Sequence, residues 1–233
     1  MKRILKIGMD VHTTNYTLCA MEPIIGEDDR VFATIKVTPD YKNILMFIEN
    51  LKLKLGLNDE YDIQCGYEAG CLGYSLYNQL TAAGIKCVIL APTTMLTPQG
   101  VRIKTDMRDA YMIAQCLSYG GYHAVYIPTE DDDSVKEYLR MRNDHKLALK
   151  KIKQQINAFC IRHGFCYDGT KWTLSHLKWL KKLEITNGLY RETLDEYMAS
   201  YEEQEAKIER YDKRIGEIAE QTRYHDKVKK LGC

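Results

Sequence analysis

A chain of 233 residues, 45% of them hydrophobic, can bury one well-formed core and still carry an extension, which excludes a disordered polypeptide. The net charge of +1 averages unlike segments. Residues 1–134 hold 12 Lys/Arg against 17 Asp/Glu, residues 135–185 hold 12 against 4, and residues 186–233 hold 9 against 11, so an acidic region precedes a basic one.

In chain order, residues 4–12, 15–22 and 30–37 form short apolar or alternating runs separated by Thr-Thr-Asn and Gly-Glu-Asp-Asp, which predicts three strands in an antiparallel meander. Ile44, Leu45, Phe47, Ile48, Leu51 and Leu55 fall at helical spacing over 40–55. A strand over 63–69, a helix over 73–83 and a strand over 86–91 follow, the last stopped by Pro92. A meander followed by alternating helix and strand is the order of an α/β, ribonuclease-H-like mixed sheet with flanking helices. After Pro128 strand signals fade. Asp133 or Ser134 reads as the cap of a helix running to about His163, and residues 172–183 as a shorter helix.

The sequence then turns to a heptad pattern. Tyr190, Leu194, Tyr197, Tyr201, Gln204, Ile208, Tyr211, Ile215, Ile218, Thr222 and His225 alternate steps of three and four, a coiled-coil signature whose partner is either helix 135–163 or another subunit. The expected domains are therefore 1–130, a sheet domain, and 131–233, a basic helical coiled-coil region for nucleic-acid binding and dimerisation. No stretch approaches the ~20 apolar residues of a membrane span. The opening Met-Lys-Arg-Ile-Leu-Lys-Ile-Gly is too short and interrupted for a signal peptide, so the eight cysteines are expected to be reduced and intracellular. Cys160, His163 and Cys166 have metal-like spacing but no evident fourth ligand, and read as packing side chains.

Asp10 ends a strand expected to be central, and Glu68 ends the strand expected to pair beside it in parallel. Asp106 and Asp109 share a face at the start of a helix capped by Thr105. Ligands in open α/β sheets gather at strand ends. Four crowded carboxylates need cations, and two Mg²⁺ ions about 4 Å apart suit phosphodiester exchange. Singly, each acid has an ordinary reading as a turn, strand-end or first-turn residue.

At Gly-Met-Asp-Val-His, Gly-Tyr-Glu-Ala-Gly and Lys-Thr-Asp-Met-Arg-Asp-Ala the chain resembles the RuvC-like DEDD transposases of bacterial insertion sequences, with the Piv-type invertases and bridge-RNA-guided recombinases among them. Tyr138–Arg142, Ile156–Phe159 with His163-Gly164, and Lys171–Leu180 are similar to that family's middle helical region. The resemblance implies a RuvC-type catalytic domain and a Mg²⁺-dependent recombinase, with Mn²⁺ as substitute. Catalytic and metal-binding roles pass to Asp10, Glu68, Asp106 and Asp109. DNA and a structured guide RNA are the implied partners, as a homo-oligomer in the bacterial cytoplasm at the nucleoid. Family members usually continue into a domain with a catalytic serine. That domain is expected to be missing here, leaving the chain able to bind metal and nucleic acid without completing recombination.

Lys136, Arg140, Arg142, Lys146, Lys150, Lys151 and Lys153 form an expected basic strip on helix 135–163, Lys171, Lys178, Lys181 and Lys182 a second patch beside Trp172 and Trp179, and Lys104 is a further expected nucleic-acid contact. Such residues neutralise phosphates, and the aromatic rings can stack on unpaired bases. The competing readings are a noncatalytic nucleic-acid-binding dimerisation scaffold and a RuvC-like structure-selective nuclease. A sugar-kinase or actin-like ATPase lacks support, because no second Asp-x-Gly phosphate loop or glycine-rich adenosine site follows.

Overall fold

The computed structural model describes residues 3–24, 28–56, 61–95 and 105–232, and the chain divides into two compact units, residues 1–127 and 128–233. Unit 1 contains β1 (Arg3–Val11), β2 (Tyr16–Glu22), β3 (Arg30–Val37), α1 (Tyr41–Leu55), β4 (Tyr61–Glu68), α2 (Ser75–Ala82), β5 (Lys86–Leu90) and α3 (Asp106–Tyr119). The strands form one sheet in the order β3-β2-β1-β4-β5. β1 pairs antiparallel with β2 and parallel with β4. This is the ribonuclease-H-like mixed sheet that the element order predicts, and β1 is central.

The period-two alternation of β1 assigns its two faces. Leu5, Ile7 and Met9 are fully buried in a core with Ile44, Phe47, Ile48 and Leu51 of α1 and Leu76 and Leu80 of α2. Gly8 lies on the opposite face, under α3. A Cβ at Gly8 would stand 2.1 Å from the carbonyl oxygen of Ala110 and 2.3 Å from the backbone nitrogen of Ala114. Only hydrogen at this position lets the helix backbone lie on the strand. The outer end of α3 is fixed differently. Tyr111, Gln115 and Tyr119, one turn apart along a single face, all donate hydrogen bonds to the carboxylate of Asp29.

Unit 2 contains α4 (Glu130–Arg162), α5 (Leu174–Lys181), α6 (Gly188–Ala219) and α7 (Thr222–Leu231). α4 begins earlier than Asp133 or Ser134. The Thr129 hydroxyl accepts from the Asp132 N–H, and Glu130–Asp133 place four acids in the first turn, where the helix dipole favours them. α4 and α6 run antiparallel, joined by Arg142–Asp212, Lys153–Glu205 and His145–Gln204 contacts. The heptad face of α6 thus packs on α4 of the same chain. A cluster of Ile156, Phe159, Cys160, Leu180, Leu194, Met198 and Tyr201 fills one end. The repeat does not run unbroken to His225, because the helix stops at Ala219 and restarts at Thr222. α7 instead returns its first turn to the start of α4. Arg223 contacts Thr129, Asp131 and Asp132, and the Tyr224 hydroxyl donates to Asp132 at 2.8 Å.

Gly8→Ala is expected to destabilise unit 1 by about 3 kcal/mol or more, through overpacking against rigid backbone. Gly66→Ala meets only the movable ends of the Leu117 and Leu90 side chains and is expected to cost about 1 kcal/mol. Thermal or denaturant melting of the two variants checks the order.

Candidate functional site

Residues two apart on a strand share a face, so Asp10 lies on the α3 side of the sheet with Gly8. Asp106 is one helical turn before Ala110, the residue seated on Gly8, and this brings the α3 N-terminus to the end of β1. Oxygens of Asp10 and Asp106 and a nitrogen of His12 lie within 4.8 Å of one another. His12 Nε2 stands 3.1 Å from Asp10 Oδ2, and the Lys36 ammonium donates to Asp106 Oδ2 at 2.8 Å. Cross-strand register explains the lysine, since Asp10 pairs with Thr17 and Thr17 with Lys36 in one row across the sheet.

The two acids respond oppositely to these surroundings. Burial holds the Asp10 carboxyl above the usual carboxylate range. His12 opposes this, and the charges of Asp109 and Asp106 add to it. Asp106 is held below that range by its Lys36 hydrogen bond and charge. Asp109 follows one turn into α3, its N–H bonded to the Thr105 carbonyl, near enough for its charge to act on Asp10. Glu68 comes directly after Tyr67, the register partner of Met9, and so ends the strand beside Asp10. Its carboxylate is not among the converging ligand atoms.

The donor set fits a divalent cation: two oxygen acids and an imidazole meet where unlike charges already gather. The hydroxyl oxygen of Thr17 is also buried without a hydrogen-bond partner in the same cross-strand row. His12 and Lys36 were missed in the sequence. His12 stands inside the Gly-Met-Asp-Val-His run, but Lys36 has no signal short of the strand register.

The expected basic residues fall into three groups. Arg142, Lys153 and Lys181 pair with Asp212, Glu205 and Glu202 of α6, while Arg140 pairs with Glu137 on its own helix. Lys136 is partly buried. Among the described residues no salt bridge involves Lys146, Lys150, Lys151, Lys171, Lys178 or Lys182, although the Lys146 charge acts on Asp212. Lys104 lies outside the described residues. Trp172 stacks on Tyr201 at 5.4 Å, with the Lys153 ammonium 5.4 Å from its ring centre. His163 packs against Phe159 and Tyr190, and the Cys160–Cys166 segment brings no metal-ligand group together among the described residues.

The family model of the IS110-type DEDD transposases matches residues 7–161, from β1 through nearly all of α4. The chain belongs to this transposase family. It is 34% identical to the transposase for insertion sequence element IS1533 of Leptospira borgpetersenii, over all of this chain and 66% of that protein. It is also 35% identical to the putative transposase y4qE of Sinorhizobium fredii, over 56% of this chain and 34% of that one. The chain therefore spans less than two thirds of the length of either relative. Among solved structures, Thermus thermophilus RuvC in complex with a Holliday junction substrate is similar over 52% of this chain and 99% of that one, at 11% identity and a TM-score of 0.36. No helix among the described residues of this DEDD transposase chain is long and apolar enough to cross a membrane.

The raised Asp10 pKa makes a prediction for the metal-free protein. The folded chain holds this proton more tightly than the unfolded chain, so the group's stabilising effect is full below its ordinary value of 3.8 and is lost as pH rises through the raised value. Asp10→Asn removes that loss. Melting in EDTA at pH 7 is expected to shift upward in the variant, with a smaller change at pH 4.

Proposed function

We propose that this chain supplies the metal-dependent strand-cleaving centre and the nucleic-acid-holding arm of an insertion-sequence transposase. The observation that carries the reading is the meeting of Asp10, from the end of the central strand, with Asp106, from the first turn of a helix 96 positions later. Asp10, Asp106, Asp109 and Glu68 form the acidic set for Mg²⁺, with Mn²⁺ as substitute. Bound there, divalent cations would polarise the scissile phosphodiester and stabilise the attacking and leaving oxygens.

The protein's own residues prepare this centre. Lys36 offsets part of the charge on Asp106, His12 contacts Asp10, and the Thr105 cap starts the helix whose face carries Asp106 and Asp109. The unpaired lysines of α4 and of the α5 region hold phosphates by releasing counterions, with DNA and a structured guide RNA as partners in a homo-oligomer.

Titration with MgCl₂ or MnCl₂ is expected to raise the melting temperature of wild type, by the equivalent of about 2.7 kcal/mol at a hundred times the dissociation constant. Asp10→Asn and Asp109→Asn are expected to abolish most of this rise. Equal shifts in all three proteins would instead favour the noncatalytic scaffold. Affinity for single- or double-stranded nucleic acid is expected to fall at least tenfold between 50 and 200 mM salt. Salt-independent binding would remove the phosphate role of the arm.

A further inference from the structure

The connection from α4 to α5 borders an open pocket of about 150 Å³ that the acidic centre does not use. Asn157 of α4, Phe165, Tyr167 and Lys171 of the connection, and His176 and Trp179 of α5 contribute to its wall. Its shape depends on two left-handed residues. Gly164 (φ 75°) turns the chain out of α4, and Trp172 (φ 66°) is the one non-glycine residue with positive φ among those described. A bulky residue held in this region is strained and persists only where its surroundings fix it. Here the Trp172 N–H donates to His176 Nδ1 at 3.0 Å, and the Trp172 ring stacks on Tyr201 with the Lys153 ammonium close to both rings.

That backbone bond also sets the histidine's chemistry. His176 is 2% exposed, and with Nδ1 accepting from the backbone, its ring proton resides on Nε2. No acceptor among the described residues meets that N–H. Burial and the nearby Lys171 charge keep the ring in its neutral form. Tyr167, His176 and Trp179 form an aromatic cluster, with the His176 and Trp179 rings nearly parallel at 17° and 5.7 Å apart. The wall therefore offers flat π surfaces, a neutral N–H donor, a cation and the amide of Asn157. A cavity of this volume holds a single six-membered ring such as benzene.

We propose that this pocket receives one unpaired pyrimidine base of the bound nucleic acid. The base would rest against Tyr167 and Trp179, its carbonyl oxygens would accept from His176 Nε2–H and the Asn157 amide, and its flanking phosphate would lie at Lys171. The carbonyl-rich edge of a pyrimidine matches a donor-rich wall, and a paired base inside a duplex could not enter. The assignment rests on the nucleic-acid role proposed for unit 2. It moves the stacking function from Trp172, which does not line the pocket, to Trp179 and Tyr167, which do.

The test compares a fluorescently labelled 12-mer of thymidine with a 12-mer of abasic tetrahydrofuran sites, which carries the same phosphates without bases, in the full chain at low salt. The thymidine strand is expected to bind about tenfold more tightly. Asn157→Leu and Tyr167→Ala are expected to reduce it to the abasic level while leaving abasic binding and the helical circular-dichroism signal unchanged. A strand carrying 5-iodouracil should photocrosslink wild type at Tyr167 or Trp179. Equal affinity for the two strands, or crosslinks confined to other residues, would overturn the pocket and leave the phosphate-binding arm standing. If neither strand bound, the arm and the pocket would fall together.

Discussion

The contact of α3 with β1 at Gly8 governs the rest of unit 1. The strand can offer Asp10 at its end, and the helix can present Asp106 in its first turn, but these two acids meet only if the two backbones touch. Glycine at position 8 permits that approach, and the small Ala110 and Ala114 on the facing helix complete it. Asp29 fixes the far end of the same helix through three donors. α3 is thus held at one end by the absence of a side chain and farther along by hydrogen bonds, and its N-terminus is placed by both.

The site created in this way is electrostatically unbalanced, and its neighbours reveal how the chain tolerates the crowding. Burial raises the Asp10 pKa, while the Lys36 hydrogen bond lowers that of Asp106. The ammonium of Lys36 stands beside Asp106, and the imidazole of His12 beside Asp10. Lys36 acts as an internal counterion to Asp106, while His12 stands with the two acids as a candidate ligand.

Much of this was legible in the sequence, because the decisive signals are local. Alternation in β1 and the Thr105 cap ahead of two acids spaced three apart each follow from a few neighbouring residues. Parallel pairing of β1 with β4 follows from element order. Lys36 was not legible, since it reaches Asp106 only through the β1-β2-β3 register. The Asp29 anchor joins residues more than eighty positions apart, and no local pattern announces it. In unit 2 the heptad face was visible but its partner was not, because a repeat specifies an apolar seam without saying which helix fills it. Basic residues were the least legible. Arg142 and Lys153 have the composition of a phosphate-binding strip, yet their guanidinium and ammonium groups tie α4 to α6.

The α4–α6 hairpin is fastened by different chemistry at its two extremities. α4 alone is about 50 Å long at 1.5 Å per residue, with the buried cluster around Phe159 and Leu194 near one end and the Arg223–Asp131–Asp132 clasp at the other. Asp132 in that clasp is pushed down to about 2, so it stays ionised across the physiological range. Apolar burial is indifferent to ionic strength, whereas exposed ion pairs are screened by it. Salt therefore weakens the Arg223 clasp at the start of α4 more than the buried cluster around Phe159 and Leu194.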